Sequence, residues 1–291
     1  MSWDLAANVV IAGVLTGMVY GLMALGLSVI FGVVRVVNFA HGEMMTIAMY
    51  ATVVLFAALQ LDPFLAVLPV ALAFFVFGYG LQKSLINPFI TRPEHSQFML
   101  LVAVAMIMVN GLLMLFGPDA RNIQVAYQLE SIELGRLLID KARLYAAGLA
   151  LATAAALFAF FKLTLTGKAI RACADNHLGA LVVGLNVKHL YALTFGIGSA
   201  CVAVAGCMMV LLVDVTPSLG PGYTLLAFIT VIVGGLGSMP GAIVGGILIG
   251  VSEAVAGLLI APSAKSMFSF GLLILVLLLR PQGLLGKKVQ S

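Results

Sequence analysis

The chain has 291 residues, of which 63% are hydrophobic and 9% charged, and its mean hydropathy is +1.18. Soluble domains carry about 25% charged residues, so no soluble core absorbs this much apolar surface, and the solvent is lipid. The formal charge of +4 does not point to nucleic acid, because basic residues beside membrane helices record orientation. The polar segments are too short for a separate soluble domain, and residues 1–291 read as one transmembrane domain. The N-terminus carries Asp4 and no basic leader region, and its first apolar run is long enough to span, so no cleavable signal is expected.

A span needs about 20 apolar residues. Candidate runs are Asn8–Phe31, Phe39–Leu59, Phe64–Leu81, Phe98–Phe116, Leu144–Phe161, Tyr191–Val213, Tyr223–Val233, Ala242–Ile260 and Met267–Leu279. The seventh and ninth are short, so the expectation is an all-α polytopic bundle of eight or nine spanning segments. If all nine alternate from an outer N-terminus, the inner segments hold Arg35, Lys83, Arg92, Lys162, Lys168, Arg171, Lys188, Arg280, Lys287 and Lys288. The outer ones hold only Arg121, Arg136, Lys141, Arg143 and Lys265. This bias predicts N-terminus out and C-terminus in.

Two long polar connections then fall on opposite sides. Residues 117–143 form an outer loop, either a solvated connector or a docking surface. Residues 162–190 form an inner one. Within the inner loop, Gly167 to Gly184 has an Ala-rich interior carrying Lys168, Arg171, Asp175 and His177, and reads as a short helix presented outside the bilayer. Gly241–Gly245 and Gly246–Gly250 are G-x-x-x-G pairs, which mark close helix packing in lipid. The run Gly234, Gly235, Leu236, Gly237, Ser238, Met239, Pro240, Gly241 cannot hold a straight helix and predicts a break. That break is either a turn or part of a pathway, since irregular backbone at membrane depth is tolerated where it is buried in protein or lines a cavity.

Asn38, His41, Gly42 and Glu43 open the second span. One reading makes Asn38 the N-cap of that helix. The other gives the cluster a place in a pathway or its gating, as ionisable groups inside a bundle are expensive. Glu253, alone in an apolar run, is either bonded to a neighbouring hydroxyl or a proton or ion site. Enzymatic patterns fail. His41-x-Glu43 lacks the P-C-x-x-C half of a zinc deaminase, and neither H-E-x-x-H nor G-x-S-x-G occurs. Cys173, Cys201 and Cys207 form no C-x-x-C. No G-x-x-x-x-G-K-[ST] is present, so active transport draws on a gradient or on another subunit.

Residues 21–32, GLMALGLSVIFG, followed by 37–43, VNFAHGE, resemble the first part of the LivH-type permeases of branched-chain amino acid ABC transporters. Residues 167–186 resemble that family's cytoplasmic loop facing the ATPase, departing from it at His177-Leu178-Gly179. Residues 234–246 and 280–286 resemble its C-terminal part. The resemblance runs nearly end to end. It implies a multi-pass permease subunit in the bacterial inner membrane, without enzymatic activity or a cofactor of its own. ATP would be bound by two cytoplasmic ATPase partners. A second related permease would complete a heterodimer, and a periplasmic substrate-binding protein would deliver branched-chain or other mostly apolar amino acids. Gly167, Arg171, Ala174 and Gly184 would face the ATPase, with Lys168 and Asp175 beside them. Asn38, His41, Gly42, Glu43, Gly234, Gly235, Gly237 and Ser238 are the candidates for pathway or gating. The rival reading is a stand-alone secondary transporter or channel for a small solute such as urea or an amide, using His41, Glu43 or Glu253 as proton or cation sites.

Overall fold

The structure, a computed structural model, describes residues 3–135, 137–261 and 265–286. Arg136, Lys287 and Lys288, which entered the charge count, lie outside the described residues. All nine apolar runs are helical: α1 Trp3–Val34, α2 His41–Leu59, α3 Pro63–Leu81, α4 Glu94–Phe116, α5 Lys141–Leu163, α8 Val187–Met209, α9 Gly220–Gly234, α10 Met239–Leu259 and α11 Lys265–Leu279. The short α6 Leu165–Asp175 and α7 His177–Val182 occupy the expected inner loop. Among the described residues, eight helical segments are long and apolar enough to cross a membrane, and α11, at 15 residues, is shorter. The seventh run reaches 18 residues because a 3-10 turn, Pro217–Leu219, precedes α9. Pro217 and Pro221 sit in the first turns of these elements, where a missing N–H costs nothing.

Capping decides where these helices start. Side chains of Asp62, Asp140, Thr164, Asn176, Asn186 and Ser238 each accept a backbone N–H two or three residues on. The cap at Asn176, with extended backbone, splits the expected single inner helix into α6 and α7. Gly184, at φ 81°, ends α7 in a Schellman motif: its N–H bonds Leu181 O while Leu185 N–H bonds Ala180 O. Within the nearly all-α fold, the loop at 117–143 carries a β-hairpin, β1 Ser131–Leu134 paired antiparallel with β2 Leu137–Asp140. Gly135, at φ 66°, lies in its turn.

The centre is built on α1 and α8, with 78% and 83% of their apolar windows buried against 22% for α3 and for α4, which lie at the periphery. Lipid provides no hydrophobic drive between helices, so close backbone approach must do the work. Any side chain at Gly17 would run into Gly246 O and Ile247 Cα of α10, and one at Gly250 into Gly13 O and Gly17 Cα. On the opposite side of α1, Gly26 meets Gly198 O of α8. The G-x-x-x-G reading as packing is therefore correct: Gly246 and Gly250 lie on α1, and Gly241 and Gly245 on α9 near Gly234.

The ends of the elements sort onto two faces. One face gathers Arg35, the start of α4, α6, the α9–α10 break and residues 281–286, which line one recess together. The other joins Asn8 to β2, Asp62 to Tyr127, Arg121 to Val215 and Gln128 to Leu211. Alternating crossings require this sorting, and α11 follows it, running from beside Glu253 to the end of α9.

Gly246→Val forces α1 and α10 apart and is expected to lower the thermal unfolding temperature sharply in detergent. Gly148→Ala, where no atom lies within 4 Å of the added carbon, should be neutral or stabilising by about 0.5–1 kcal/mol. Equal unfolding temperatures for the two variants would count against the packing account.

Candidate functional site

After Val34 the chain does not leave for solvent. Arg35 takes a left-handed backbone, φ 58°, and residues 35–38 run back without helical structure. When α2 begins, its first residue lies against α1: His41 Nε2–H donates to Met23 O at 2.9 Å. Met23 lies eleven residues before the end of α1, so α2 starts about 16 Å along α1 from that end. The segment is thus re-entrant, a feature with no periodic signature in sequence.

Three helices are clasped there. Thr224 Oγ1 of α9 accepts from Gly42 N–H and donates to the Glu43 carboxylate, both at 2.9 Å. Gly42 is obligatory, since any side chain would collide with Gly220 O and Thr224 N. Asn38 is not the N-cap of α2. That position is Ala40, whose N–H is held by Asn38 Oδ1 at 3.1 Å, so Asn38 shapes the turn before the helix. Asn38, His41 and Glu43 are all enclosed. They sit within the packing of α1, α2 and α9, while their neighbours Arg35, Val37 and Phe39 line the recess. Carbonyl oxygens only accept, so His41 carries its proton on Nε2.

The recess has a volume of about 1680 Å³. Its mouth is charged, with Arg35, Glu94, His95, Lys168, Arg171 and Asp175. Its walls are apolar, built from Val29, Phe39, Phe98, Phe158, Phe161 and Ile232, and its lining on α1 reaches back to Ser28. Phe39 packs edge-on to Phe98 at 4.6 Å between ring centroids and leans on Phe228. The Ser28 hydroxyl is buried and has no hydrogen-bond partner among the described residues. Nothing in the sequence singles Ser28 out, because a lone serine in an apolar helix is ordinary.

The predicted residues divide by this geometry. Lys168, Arg171, Ala174, Asp175, Gly237 and Ser238 line the recess together. Gly167 is buried against Phe160 O and Phe161 Cα, so it sets the α5–α6 turn and presents no surface. Gly184 stops α7. Gly234 packs on Gly241, and Gly235, at φ 108°, lies against the backbone of Leu285 and Gly286. The break is therefore a compact turn stapled to the C-terminal segment by Leu284 N–H to Val233 O and Leu285 N–H to Gly234 O, and its far side forms recess wall.

On α6, Ile170 and Cys173 face inward. Burial pushes the Cys173 thiol above its usual range, partly offset by the Tyr191 hydroxyl. That hydroxyl also bonds His177 at 3.0 Å, tying α7 to α8. Glu253 accepts from Tyr20 at 3.2 Å and Ser269 at 2.8 Å, so its bonded reading holds. On the other face, burial and the Asp62 carboxylate hold the Tyr127 phenol far above its ordinary range.

These features define a polytopic helical membrane protein with a re-entrant segment and a charged-mouthed recess on one face. Residues 9–277 match the family described as branched-chain amino acid transport system / permease component, and the chain belongs to it. It is 30% identical over 297 residues to the high-affinity branched-chain amino acid transport system permease protein LivH of Salmonella typhimurium, covering 94% of each chain. It is also 30% identical over 290 residues to the corresponding protein BraD of Pseudomonas aeruginosa, again covering 94% of each. Among solved structures, PsaBC from Streptococcus pneumoniae in complex with Fab aligns with a TM-score of 0.50 at 14% identity, over 97% of this chain and 93% of that one. That likeness concerns the fold alone.

Thr224→Val strands the Gly42 N–H and the Glu43 carboxylate. It should destabilise the detergent-solubilised protein by about 1–3 kcal/mol, while Thr224→Ser should restore it. Cys173 should react with maleimide on the order of ten-fold more slowly than a cysteine placed at exposed Val182. Comparable labelling rates would show that α6 is not seated as described.

Proposed function

We propose that this permease is one membrane subunit of an ABC importer for branched-chain or other mostly apolar amino acids. The observation that carries the reading is the recess: an apolar throat behind a charged mouth, which suits a ligand with an apolar side chain leaving a bundle that has few charges to offer it. The names of the curated relatives point to the same substrate class. A second related permease completes the pathway, a periplasmic binding protein delivers the ligand, and two cytoplasmic ATPases dock on the face that carries α6 and α7. The subunit sits in the inner membrane with its N-terminus outside.

The coupling surface in this reading is Lys168, Arg171, Ala174 and Asp175, together with the exposed apolar side chains Leu178, Leu181, Val182 and Val183 that follow. Solvated apolar residues on a short helix, flanked by charge, favour a protein partner. Because α6 also forms the mouth of the recess, a push on it changes the opening directly. ATP closure of the ATPases must favour one state of the bundle, since a partner binding both states equally shifts nothing. His41, Gly42 and Glu43 then hold the re-entrant wall in register as the mouth moves.

The test is co-purification. With a C-terminal tag and gentle extraction, a second permease and an ATPase should accompany the chain, and hydrolysis should rise with the binding protein. Isolation of the chain alone under several detergents would favour the gradient-driven rival. Arg171→Glu should reduce ATPase association by about ten-fold or more with normal membrane insertion, the scale of a like-charge clash at an interface. Glu253→Gln keeps an acceptor for one of the two hydroxyls, offers its amide N–H to the oxygen of the other, and should preserve uptake, whereas a proton-coupled carrier relying on Glu253 would lose it.

A further inference from the structure

A second recess, of about 570 Å³, opens on the same face between the end of α3 and the start of α8. It is lined by Tyr79, Lys83, Asn87, Asn186, Lys188 and His189, with Pro88 and Ala192 completing it. Three of these side chains are basic, and among the described lining residues there is no carboxylate. Lys83 and Lys188 come from segments about a hundred residues apart, and the fold brings them together by specific bonds. Asn87 Nδ2 donates to Lys188 O at 3.2 Å, Gln82 Nε2 donates to Asn87 Oδ1 at 3.0 Å, and the Tyr79 hydroxyl bonds His189 Nδ1 at 3.0 Å. The helix also changes form here, from α to a π turn at Gln82–Ile86 and then 3-10 at Asn87–Phe89. The Lys83 ammonium lies 5.9 Å from the centroid of the Tyr79 ring.

The surroundings identify the kind of ligand. Leu65, Leu68, Leu72 and Val76 are exposed and lead to Tyr79 and Lys83 at steps of three or four residues, so they form one stripe along α3 ending at the recess. An apolar stripe that runs into a basic pocket at the membrane rim has the two halves of a phospholipid: acyl chains along the helix and a phosphate at its end. Basic pockets between transmembrane helices bind anionic head groups by this complementarity. We propose that this recess is a binding site for an anionic phospholipid. Its phosphate oxygens accept from the Lys83 and Lys188 ammonium groups and from the ring N–H of His189, and its chains lie along Leu72 and Val76. A lipid there bridges α3 and α8 where the polar connection after α3 begins. The proposal does not depend on what the permease carries.

The test uses the full chain reconstituted in bilayers of phosphatidylcholine and phosphatidylglycerol in equal parts, gently re-extracted and weighed by native mass spectrometry. The wild type should retain phosphatidylglycerol in preference to phosphatidylcholine. Lys83→Gln with Lys188→Gln should lower that preference about thirty-fold, the loss expected when two lysines no longer face an anionic surface. The pair Lys162→Gln and Arg280→Gln, of equal charge outside the recess, should leave it unchanged, and Lys83→Arg with Lys188→Arg should retain it. Added inorganic phosphate should not displace the lipid. No preference in the wild type, or the same preference in the glutamine pair, would overturn the proposal. Displacement by inorganic phosphate would overturn it too, assigning the recess to a free anion.

Discussion

The close backbone contact of α1 with α10 on one side and α8 on the other is the constraint on which the remaining structure rests. In lipid, helix pairs gain little from burying apolar side chains, and Gly13, Gly17, Gly21 and Gly26 let α1 come near enough for dispersion to act. A central helix fixed from both sides gives every other element its depth. It presents Met23 O to His41, Tyr20 to Glu253 and Ser28 to the recess. Loosening α1 would move all three together.

From that fixed helix follows the irregular backbone. The extended residues after Arg35 would be intolerable against lipid, and they are instead covered by protein on one side and line the recess on the other. The clasp among Asn38, His41, Gly42, Glu43 and Thr224 satisfies the polar groups that this re-entry creates. It uses one buried carboxylate without a basic partner in the clasp, held by a hydroxyl and kept away from the recess wall. The charged side chains that do line the recess lie at its mouth, where α6 can act on them. This division, a polar clasp inside and a charged rim at the mouth, is compatible with the alternating-access mechanism proposed above.

Much of this was legible in the residues. Hydropathy located the nine apolar helices, the G-x-x-x-G pairs marked real contacts, and the glycine run at 234–241 marked a real break. The polar island at 167–184 is helical, as its composition suggests, but no sequence signal marks the Asn176 side chain as the cap of a second helix. The cap reading of Asn38, one of two left open by the sequence, fails because an asparagine just before a helix looks the same whether it holds the helix or the turn preceding it. The re-entry of residues 35–40 leaves no periodic trace, since six residues are too few to show one. Ser28 and the hairpin at 131–140 were missed for related reasons: one is an isolated small residue, and the other is two four-residue strands whose pairing is set by the turn. The recess itself is assembled from five segments far apart in the chain, and no local pattern encodes such a meeting.

The most direct measurement is uptake of radiolabelled leucine into proteoliposomes holding this chain with the proposed second permease and ATPases, with the proposed binding protein outside. The energy source is switched between enclosed ATP and an imposed proton or sodium gradient. The account predicts uptake that requires enclosed ATP and the binding protein and ignores the gradient. Uptake driven by the gradient with this chain alone, and unaffected by ATP, would contradict it.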